Sequence, residues 1–447
     1  MNATLERTIR LRDLALLVVG VVIGSGIFIV PSTVLTQVGG DVRIALIVWL
    51  TGGILSLLGA LTYGELAANT PASGGIYVFL RDAFGRGVAF LFGWTLFLAI
   101  GAGSAATLAT AFTGYLSQFV NLSSMGDRLV AIAMIALVGA INVRGTRAST
   151  SVTSWTTGIK VIALIALSLA LLVGGPGLGQ DRSSVAPVPI DIGLLSAMGT
   201  AMIGVLWAYE GWQWVTFSAG ETVDPARTFP RGIAIGTLAI VIIYALANAG
   251  YVAALGPENA MASTSIAADA VRSVFGTNAG RLVAAAILVS IFSAANAVIL
   301  TASRVFFAMA RDGLFFQSLA QIHPRFGTPA MSIVAFCAWA MVLASAGTFQ
   351  QLLTYVVFTG WIFYALAGAA IFVFRRRSSA HAASAASIFR VPGYPLTPLL
   401  FVIAALAIVL NTILTQPVQA AAGMVVVIAG MPAYFFWRGK SRGRVEA

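Results

Sequence analysis

Residues 20–30 read GVVIGSGIFIV, and Pro31 follows directly, inside the first long apolar run of the chain. The triplet Gly24-Ser25-Gly26 weakens a helix near the centre of a segment that is apolar enough to cross a membrane. Lipid cannot hydrogen-bond a broken backbone, so such a break persists only where it lines a cavity inside the protein or binds something. The stretch predicts a discontinuous membrane helix beside an internal site. The alternative is an unbroken helix whose small residues let a neighbouring helix pack closely.

The composition indicates that this chain is an integral membrane protein. Of its 447 residues, 59% are apolar and 9% are charged, whereas about 25% of the residues of a soluble protein are charged. Apolar runs of about 20 residues, the length that spans a bilayer, recur along the whole chain. They predict an all-α membrane protein with twelve transmembrane helices in a single domain over 1–447. The runs begin near residues 14, 42, 87, 128, 154, 194, 232, 281, 330, 351, 396 and 418.

The net charge of +11 follows from membrane topology. Twenty Lys and Arg residues lie in the two tails and the even-numbered loops, and five lie in the odd-numbered loops. This asymmetry matches the positive-inside rule and places both termini in the cytoplasm. The richness in Arg, Ala and Gly suggests a bacterial inner membrane, and no nucleic-acid partner is expected. Lys160, inside the fifth predicted helix, is the one basic residue that the loops do not account for.

The sequence offers few residues for enzyme chemistry. Two histidines and a single cysteine, Cys337, cannot form a zinc, haem or iron-sulfur ligand set. Gly439-Lys440-Ser441 resembles the end of a phosphate-binding loop, but Tyr434 occupies the position where that loop needs a glycine. We therefore expect no metal, no cofactor and no enzymatic activity.

A second interruption occurs in the sixth predicted helix. Residues 204–221 read GVLWAYEGWQWVTFSAGE, which places Glu210-Gly211 midway along the span. Broken helices five helices apart are typical of two inverted repeats that hold a substrate between them near the membrane midplane. A broken helix offers free N–H groups at one end and free carbonyls at the other. These groups suit the carboxylate and the ammonium of an α-amino acid.

Five regions of the chain also carry recognisable motifs. They read GSGIF at 24–28, YGELAANTPASGGIYVFLRDAFG at 63–85, WAYEGW at 207–212, GETVDPARTFPRGI at 220–233, and SRVFFAMARDG with HPRFGTP at 303–329. Together they resemble the amino acid-polyamine-organocation superfamily, in its L-type amino acid transporter branch. The resemblance implies a LeuT-type fold of two five-helix inverted repeats, about 12–176 and 192–377, with two extra helices at about 395–437.

The resemblance further implies a permease that moves amino acids by alternating access. It would work without sodium, as an exchanger or as a proton-coupled symporter. A polyamine or amine transporter of the same fold is the alternative, and a channel is a more remote one. Animal relatives bind a glycoprotein heavy chain through a disulfide in the loop after the third helix. Residues 121–128 contain no cysteine, so no such partner is expected here.

The resemblance assigns the substrate's contacts to the two breaks. The main-chain N–H groups of Ser25, Gly26 and Ile27 would receive the carboxylate. The carbonyls of Val22, Trp207 and Glu210 would receive the ammonium. Trp207 would act as an aromatic gate and Trp361 as a further wall, although packing is an alternative for each tryptophan. The expected substrate-binding residues are Val22, Ile23, Gly24, Ser25, Gly26, Ile27, Trp207, Ala208, Glu210, Gly211 and Trp361.

Two ionisable residues within spans call for separate expectations. Glu210 stands where many relatives have a second glycine, and a charged residue in a span is a functional hypothesis by default. It would pair with a hydroxyl or amine in the site, or accept hydrogen bonds from the unwound backbone. By the resemblance, Lys160 would reach the broken first helix near the place where sodium-coupled proteins of the same fold keep an ion. It would replace that ion or carry a proton, and snorkelling to the interface is the alternative.

Overall fold

The computed structural model describes residues 7, 9–72, 74–175, 192–379 and 389–442. Within these residues the regular structure is helical, apart from an isolated parallel bridge between Ile9 and Thr222. The first predicted repeat ends at residue 176, where a stretch outside the described residues begins. The helices are α1 (Leu11–Val22), α2 (Gly26–Gln37), α3 (Val42–Asn69), α4 (Ile76–Phe84), α5 (Arg86–Thr95), α6 (Gly101–Leu116), α7 (Ser124–Arg144), α8 (Thr146–Gly174), α9 (Ile192–Ala208), α10 (Pro225–Ala262), α11 (Ile266–Phe275), α12 (Thr277–Arg311), α13 (Ala330–Ala346), α14 (Phe349–Ser379), α15 (Leu396–Thr415) and α16 (Pro417–Arg442).

Helices long and apolar enough to cross a membrane make up most of the molecule. Over the described residues there are nine of them, and the pair α1 and α2, taken as one bent span, makes ten. Two shorter apolar helices cover Gly193–Ala208 and Ala330–Ala346. The chain is therefore a multi-pass membrane protein.

The first span is broken where the sequence predicts it. α1 ends at Val22, α2 begins at Gly26, and their axes differ in direction by 49°. Glycine and serine have low helix propensity because they favour other backbone conformations. Pro31 lies inside α2 and does not end that helix. The prediction of a discontinuous first helix is confirmed.

Helix packing buries both breaks in the centre of the bundle. α10 packs along α3, α1 and α8, while α12 packs along α6 and α8. α9 lies against α2, α3 and α15. The last two helices expose apolar side chains such as Leu414 and Val418, as expected for helices at the lipid-facing periphery.

Candidate functional site

The break in the first span exposes the start of α2 to the interior of the protein. The Gly24 N–H turns back to the Val22 carbonyl at 2.8 Å, and the Phe28 N–H reaches the Ser25 carbonyl at 3.1 Å. The first N–H groups of a helix have no partner within that helix and carry the positive end of its dipole. The Ser25 hydroxyl is also buried and has no hydrogen-bond partner among the described residues. This end of α2 can receive an anionic group.

The second break follows α9, which ends at Ala208. Residues 209–213 form turns, and a 3-10 helix then covers Trp214–Glu221. Gly211 has a φ of +132°, a backbone conformation that residues with a side chain rarely adopt. The turn therefore requires glycine at this position. The sixth helix is therefore interrupted at the predicted place, and its second half is 3-10 rather than α-helical.

The two breaks are in direct contact with each other. A Cβ on Gly26 would lie 2.4 Å from the Cα of Ala208. A Cβ on Gly211 would lie 2.8 Å from the Val21 side chain. At both positions a side chain would clash with the other break, so only glycine lets the two segments come this close. The end of α9 and the start of α2 meet as one site.

A cavity lies beside this contact. It has about 330 Å³ of atom-free space, its opening included. Its walls are the two breaks on one side and α6 with α12 on the other. They consist of Val21, Val22, Gly24, Ser25, Gly26, Ser104, Leu108, Trp207, Glu210, Gly211, Trp214 and Val298.

Tyr244 of α10 holds both breaks with one hydroxyl. Its oxygen lies 3.1 Å from the Val22 carbonyl and 3.0 Å from the Ala208 carbonyl, the last residues of α1 and α9. Trp49 and Tyr209 pack around the ring at centroid distances of 5.8 and 5.1 Å. Sequence reasoning missed Tyr244, because a lone tyrosine in an apolar helix carries no signal of what its hydroxyl reaches.

Glu210 is fixed by three donors that converge on one oxygen. Its Oε1 accepts from the Gln213 amide at 2.7 Å, the Trp214 indole at 3.0 Å and the Tyr364 hydroxyl at 2.6 Å. The described residues donate no hydrogen bond to Oε2 of this cavity-lining side chain. The donors are side chains, rather than the unwound backbone that the sequence suggested as one possibility.

Lys160 of α8 reaches the broken first span from the far side. Its buried Nζ donates to the carbonyls of Gly20 and Ile23, each at 2.8 Å. The Ser290 hydroxyl adds a longer bond of 3.3 Å to the same Ile23 carbonyl. A carbonyl-lined position near a helix break is a typical cation site, and here an ammonium occupies it. The side chain therefore points into the protein and does not snorkel to the interface.

Two further polar residues of α12 bond to side chains of neighbouring helices. The Ser293 hydroxyl lies 2.8 Å from the Thr156 hydroxyl. Asn296 accepts from the Asn142 amide at 2.8 Å. The Lys160 ammonium itself donates to two backbone carbonyls at the end of the first half of the broken span.

The two predicted tryptophans lie in different surroundings. Trp207 lines the cavity, and Phe349 at the start of α14 meets its ring edge-on at 6.5 Å. Trp361 does not line the cavity. Its ring packs against Tyr364 and Phe401 at 6.0 and 5.8 Å. Of the other predicted residues, Ile23, Ile27 and Ala208 are buried behind the cavity wall rather than on it.

Three acids that do not line the cavity form ion pairs with arginines of other segments. Glu221 pairs with Arg304 at 2.7 Å, next to the backbone bridge between Ile9 and Thr222. Glu65 pairs with Arg375 at 2.6 Å. These contacts tie the 3-10 helix and α3 to α12 and α14, away from the cavity.

The third acid, Asp312, accepts hydrogen bonds from Arg81 at 2.9 Å and from Tyr77 at 2.8 Å. Burial and the neighbouring Asp312 carboxylate raise the pKa of Tyr77 above its usual value, which keeps the phenol a donor. In the parts of the chain that the structure describes, no group of three His, Cys, Asp or Glu residues could hold a metal ion.

A multi-pass membrane protein with two broken helices that meet at an internal cavity has the architecture of a secondary transporter. Comparison with known proteins then gives the family. The family model described as "Amino acid permease" matches residues 9–433. The chain belongs to this family, in the L-type branch of the amino acid-polyamine-organocation superfamily.

Three relatives illustrate the match. The chain is 30% identical to the serine/threonine exchanger SteT of Bacillus subtilis, over 96% of this chain and 97% of that protein. It is 29% identical to the human large neutral amino acids transporter small subunit 2, over 99% of this chain and 83% of that protein. It is 28% identical to the mouse Asc-type amino acid transporter 1, with the same coverage of 99% and 83%.

Proposed function

We propose that this protein is a sodium-independent permease that moves small neutral amino acids across the membrane by alternating access. The observation that carries the proposal is the meeting of two helix breaks at one small cavity, with the Lys160 ammonium held against the first break. Family membership supports amino acids as the substrate class. The modest cavity and the serine/threonine exchanger among the relatives favour small substrates.

The substrate would bind through its backbone groups. Its carboxylate would accept from the N–H groups of Ser25, Gly26 and Ile27, supported by the free Ser25 hydroxyl. Its ammonium would face the carbonyl ends of α1 and α9. In the present structure Tyr244 occupies two of those carbonyls, at Val22 and Ala208. An incoming ammonium would share or displace that hydroxyl.

The side chain of the substrate would meet the other parts of the wall. Trp207 would cover it as an aromatic gate. The open Oε2 of Glu210 would accept a hydrogen bond from a hydroxyl, which favours serine and threonine over alanine. Trp361 faces Phe401 in this structure, so a role for it as a cavity wall requires a different rotamer or a different conformation of α14.

Lys160 would make transport independent of sodium because a fixed ammonium already fills the cation position. The same geometry is compatible with two modes of transport, exchange and proton symport. A permanently charged lysine would suit an exchanger, and a lysine that releases its proton as the cavity changes sides would couple transport to protons.

The proposed fold has twelve spans, ten of which form two five-helix inverted repeats. Within the described residues, nine long apolar helices and the bent pair α1 and α2 account for ten spans. The two shorter apolar helices, Gly193–Ala208 and Ala330–Ala346, bring the number of spans to twelve. α15 and α16 would then lie outside the repeats. The charge asymmetry of the loops supports cytoplasmic termini and a bacterial inner membrane.

The protein would also work without a disulfide-linked partner. One relative is named as a small subunit, which implies a second subunit for that protein. In this chain the single cysteine, Cys337, is buried in α13 and packs over Gly139. It offers no exposed thiol for a bond to another chain.

Counterflow in proteoliposomes tests the proposal. Vesicles loaded with unlabelled serine should accumulate labelled serine with saturable kinetics, equally in sodium and in choline buffer. Sodium dependence would refute the role of Lys160 as the cation. Flux without saturation or counterflow would indicate a channel, and equal binding of decarboxylated analogues would indicate an amine transporter.

The coupling mode requires one further measurement on the same vesicles. Uptake into empty vesicles is followed with and without an imposed pH gradient. Uptake driven by an acidic exterior indicates proton symport. Uptake that needs an internal amino acid and ignores the gradient indicates exchange.

A further inference from the structure

One wall of the cavity comes from a span that contains an irregular turn. The span Arg86–Leu116 consists of α5, a π-helical turn at Leu96–Ile100, and α6. A π-helical turn accommodates one extra residue within an α-helix and occurs frequently at functional sites. Each residue turns an α-helix by about 100°, so the extra one rotates everything that follows relative to the helix before it.

Groups outside the regular helix ladder bond to the carbonyls of this turn. The indole N–H of Trp339, on α13, donates to the Leu98 carbonyl at 2.8 Å. The Ser104 hydroxyl donates to the Ile100 carbonyl at 2.7 Å. The turn is therefore fixed by a partner on a neighbouring helix and by a residue of the cavity wall itself.

Close packing also holds the turn in place. A Cβ on Gly101 would lie 2.8 Å from the Leu96 carbonyl oxygen and 2.9 Å from the Phe336 ring, so α13 approaches the span too closely for a side chain here. Phe97 packs edge-on against Phe306 of α12 at 5.1 Å. The neighbours of the turn are large aromatic groups on α12 and α13.

The register after the turn decides what faces the cavity. Ser104 and Leu108 follow it four residues apart, on one face of α6, and both line the cavity. The Leu108 side chain ends 3.2 Å from where a Cβ on Gly24 would lie, directly over the first break. Without the extra residue, a different face of α6 would be turned toward the breaks.

We propose that the π-helical turn sets the substrate selectivity of the cavity by fixing the register of α6, and that Trp339 is the positioning residue that holds it. Trp339 does not line the cavity and acts through the backbone of the third predicted span. The inference rests on the proposed amino acid transport. It adds a determinant of selectivity outside the two broken helices.

The test compares two tryptophans that make the same kind of bond. Trp339→Phe replaces the indole by a smaller aromatic ring and removes the N–H that reaches Leu98. Trp94→Phe is the matched control, since its indole donates to the Val426 carbonyl at 3.0 Å and its side chain does not line the cavity. For each variant, kcat/KM is measured for serine and for leucine in proteoliposomes, along with the midpoint of thermal unfolding.

We expect Trp339→Phe to change the serine-to-leucine ratio of kcat/KM by about threefold or more, and Trp94→Phe to leave it unchanged. A ratio that stays at the wild-type value in Trp339→Phe, or that shifts equally in both variants, overturns the proposal. If the two variants lose similar thermal stability, a change in the kcat/KM ratio that occurs only in Trp339→Phe does not result from general destabilisation.

A second readout does not depend on transport. In a Cys337→Ala background, Ser104→Cys is modified with a small methanethiosulfonate reagent, and the rate is compared with and without Trp339→Phe. A rate change of about threefold or more on removing the Trp339 N–H supports the proposal, and an unchanged rate contradicts it. If wild type transports no amino acid, the proposed function fails while this labelling comparison still tests the register.

Discussion

The ammonium nitrogen of Lys160 lies 2.8 Å from the carbonyl oxygen of Ile23, the residue that directly follows α1. Because Ile23 precedes Gly24 and Ser25 at the cavity wall, this contact connects the buried ammonium of α8 to the break in the first span. Movement of the first broken helix must lengthen or break the contact.

Replacing Lys160 should therefore abolish transport. Lys160→Ala leaves the carbonyls of Gly20 and Ile23 without their donor, at a cost of about 1–3 kcal/mol for each buried group. We expect serine uptake to fall by about tenfold or more. Trp155→Ala is the control, since that side chain lies on the same helix and is 77% exposed. Wild-type uptake by Lys160→Ala would refute a coupling role.

At Gly26 even the smallest side chain should be harmful. A Cβ there would overlap the backbone of Ala208, so Gly26→Ala must push the two breaks apart. We expect loss of serine uptake in a protein that still inserts and elutes as a single species, and Gly26→Val should be at least as severe. Gly158→Ala is the matched control, because a Cβ on Gly158 meets no atom within 4 Å. Equal uptake by Gly26→Ala and the control would show that the breaks need not touch.

Glu210→Gln should change substrate preference rather than stop transport. The new amide oxygen can still accept from Tyr364, Trp214 and Gln213, while an NH₂ group replaces the open acceptor at Oε2. We expect the serine-to-alanine ratio of kcat/KM to fall several-fold, whereas Glu258→Gln, at an exposed residue, should leave it unaltered. An unchanged ratio in Glu210→Gln would make the carboxylate a structural group.

Tyr244 and Tyr251 both lie on α10, so the role of the Tyr244 hydroxyl can be tested by comparing the two residues. Tyr244→Phe removes the hydroxyl shared by the Val22 and Ala208 carbonyls and should lower kcat/KM for serine by about tenfold, as expected for the loss of one buried hydrogen bond. Tyr251→Phe is the control, because that buried hydroxyl has no hydrogen-bond partner among the described residues. If both substitutions have the same effect, the shared hydroxyl does not organise the site.

Several features of this protein could be predicted from the sequence because their causes are local. Apolar runs of membrane length fix where helices lie, whatever those helices pack against. Gly24-Ser25-Gly26 and Glu210-Gly211 mark the breaks, because low helix propensity and the need for a positive φ act within one turn. A lone lysine in an apolar helix likewise indicates a buried role before its partner is known.

Contacts between distant parts of the chain were decided by the tertiary structure alone. Tyr244 reaches Val22 across 222 positions, and no periodicity in either helix predicts that bond. The family resemblance makes Trp361 a cavity wall, yet its ring packs toward Phe401. The direction of a side chain depends on which neighbours leave room for it, and those neighbours come from other helices.

The sequence by itself determined the solvent, the long apolar spans and the two breaks, because hydropathy and backbone propensity are properties of short segments. The position of Lys160 beside the first break was implied only by the family resemblance. Only the tertiary structure decided that Gly26 touches Ala208, that three donors hold one oxygen of Glu210, and that a π-helical turn sets the face of α6. The approach of Gly26 to Ala208 and the bond from Tyr364 to Glu210 arise from close packing between segments that are remote in sequence, where a single Cβ changes what can fit.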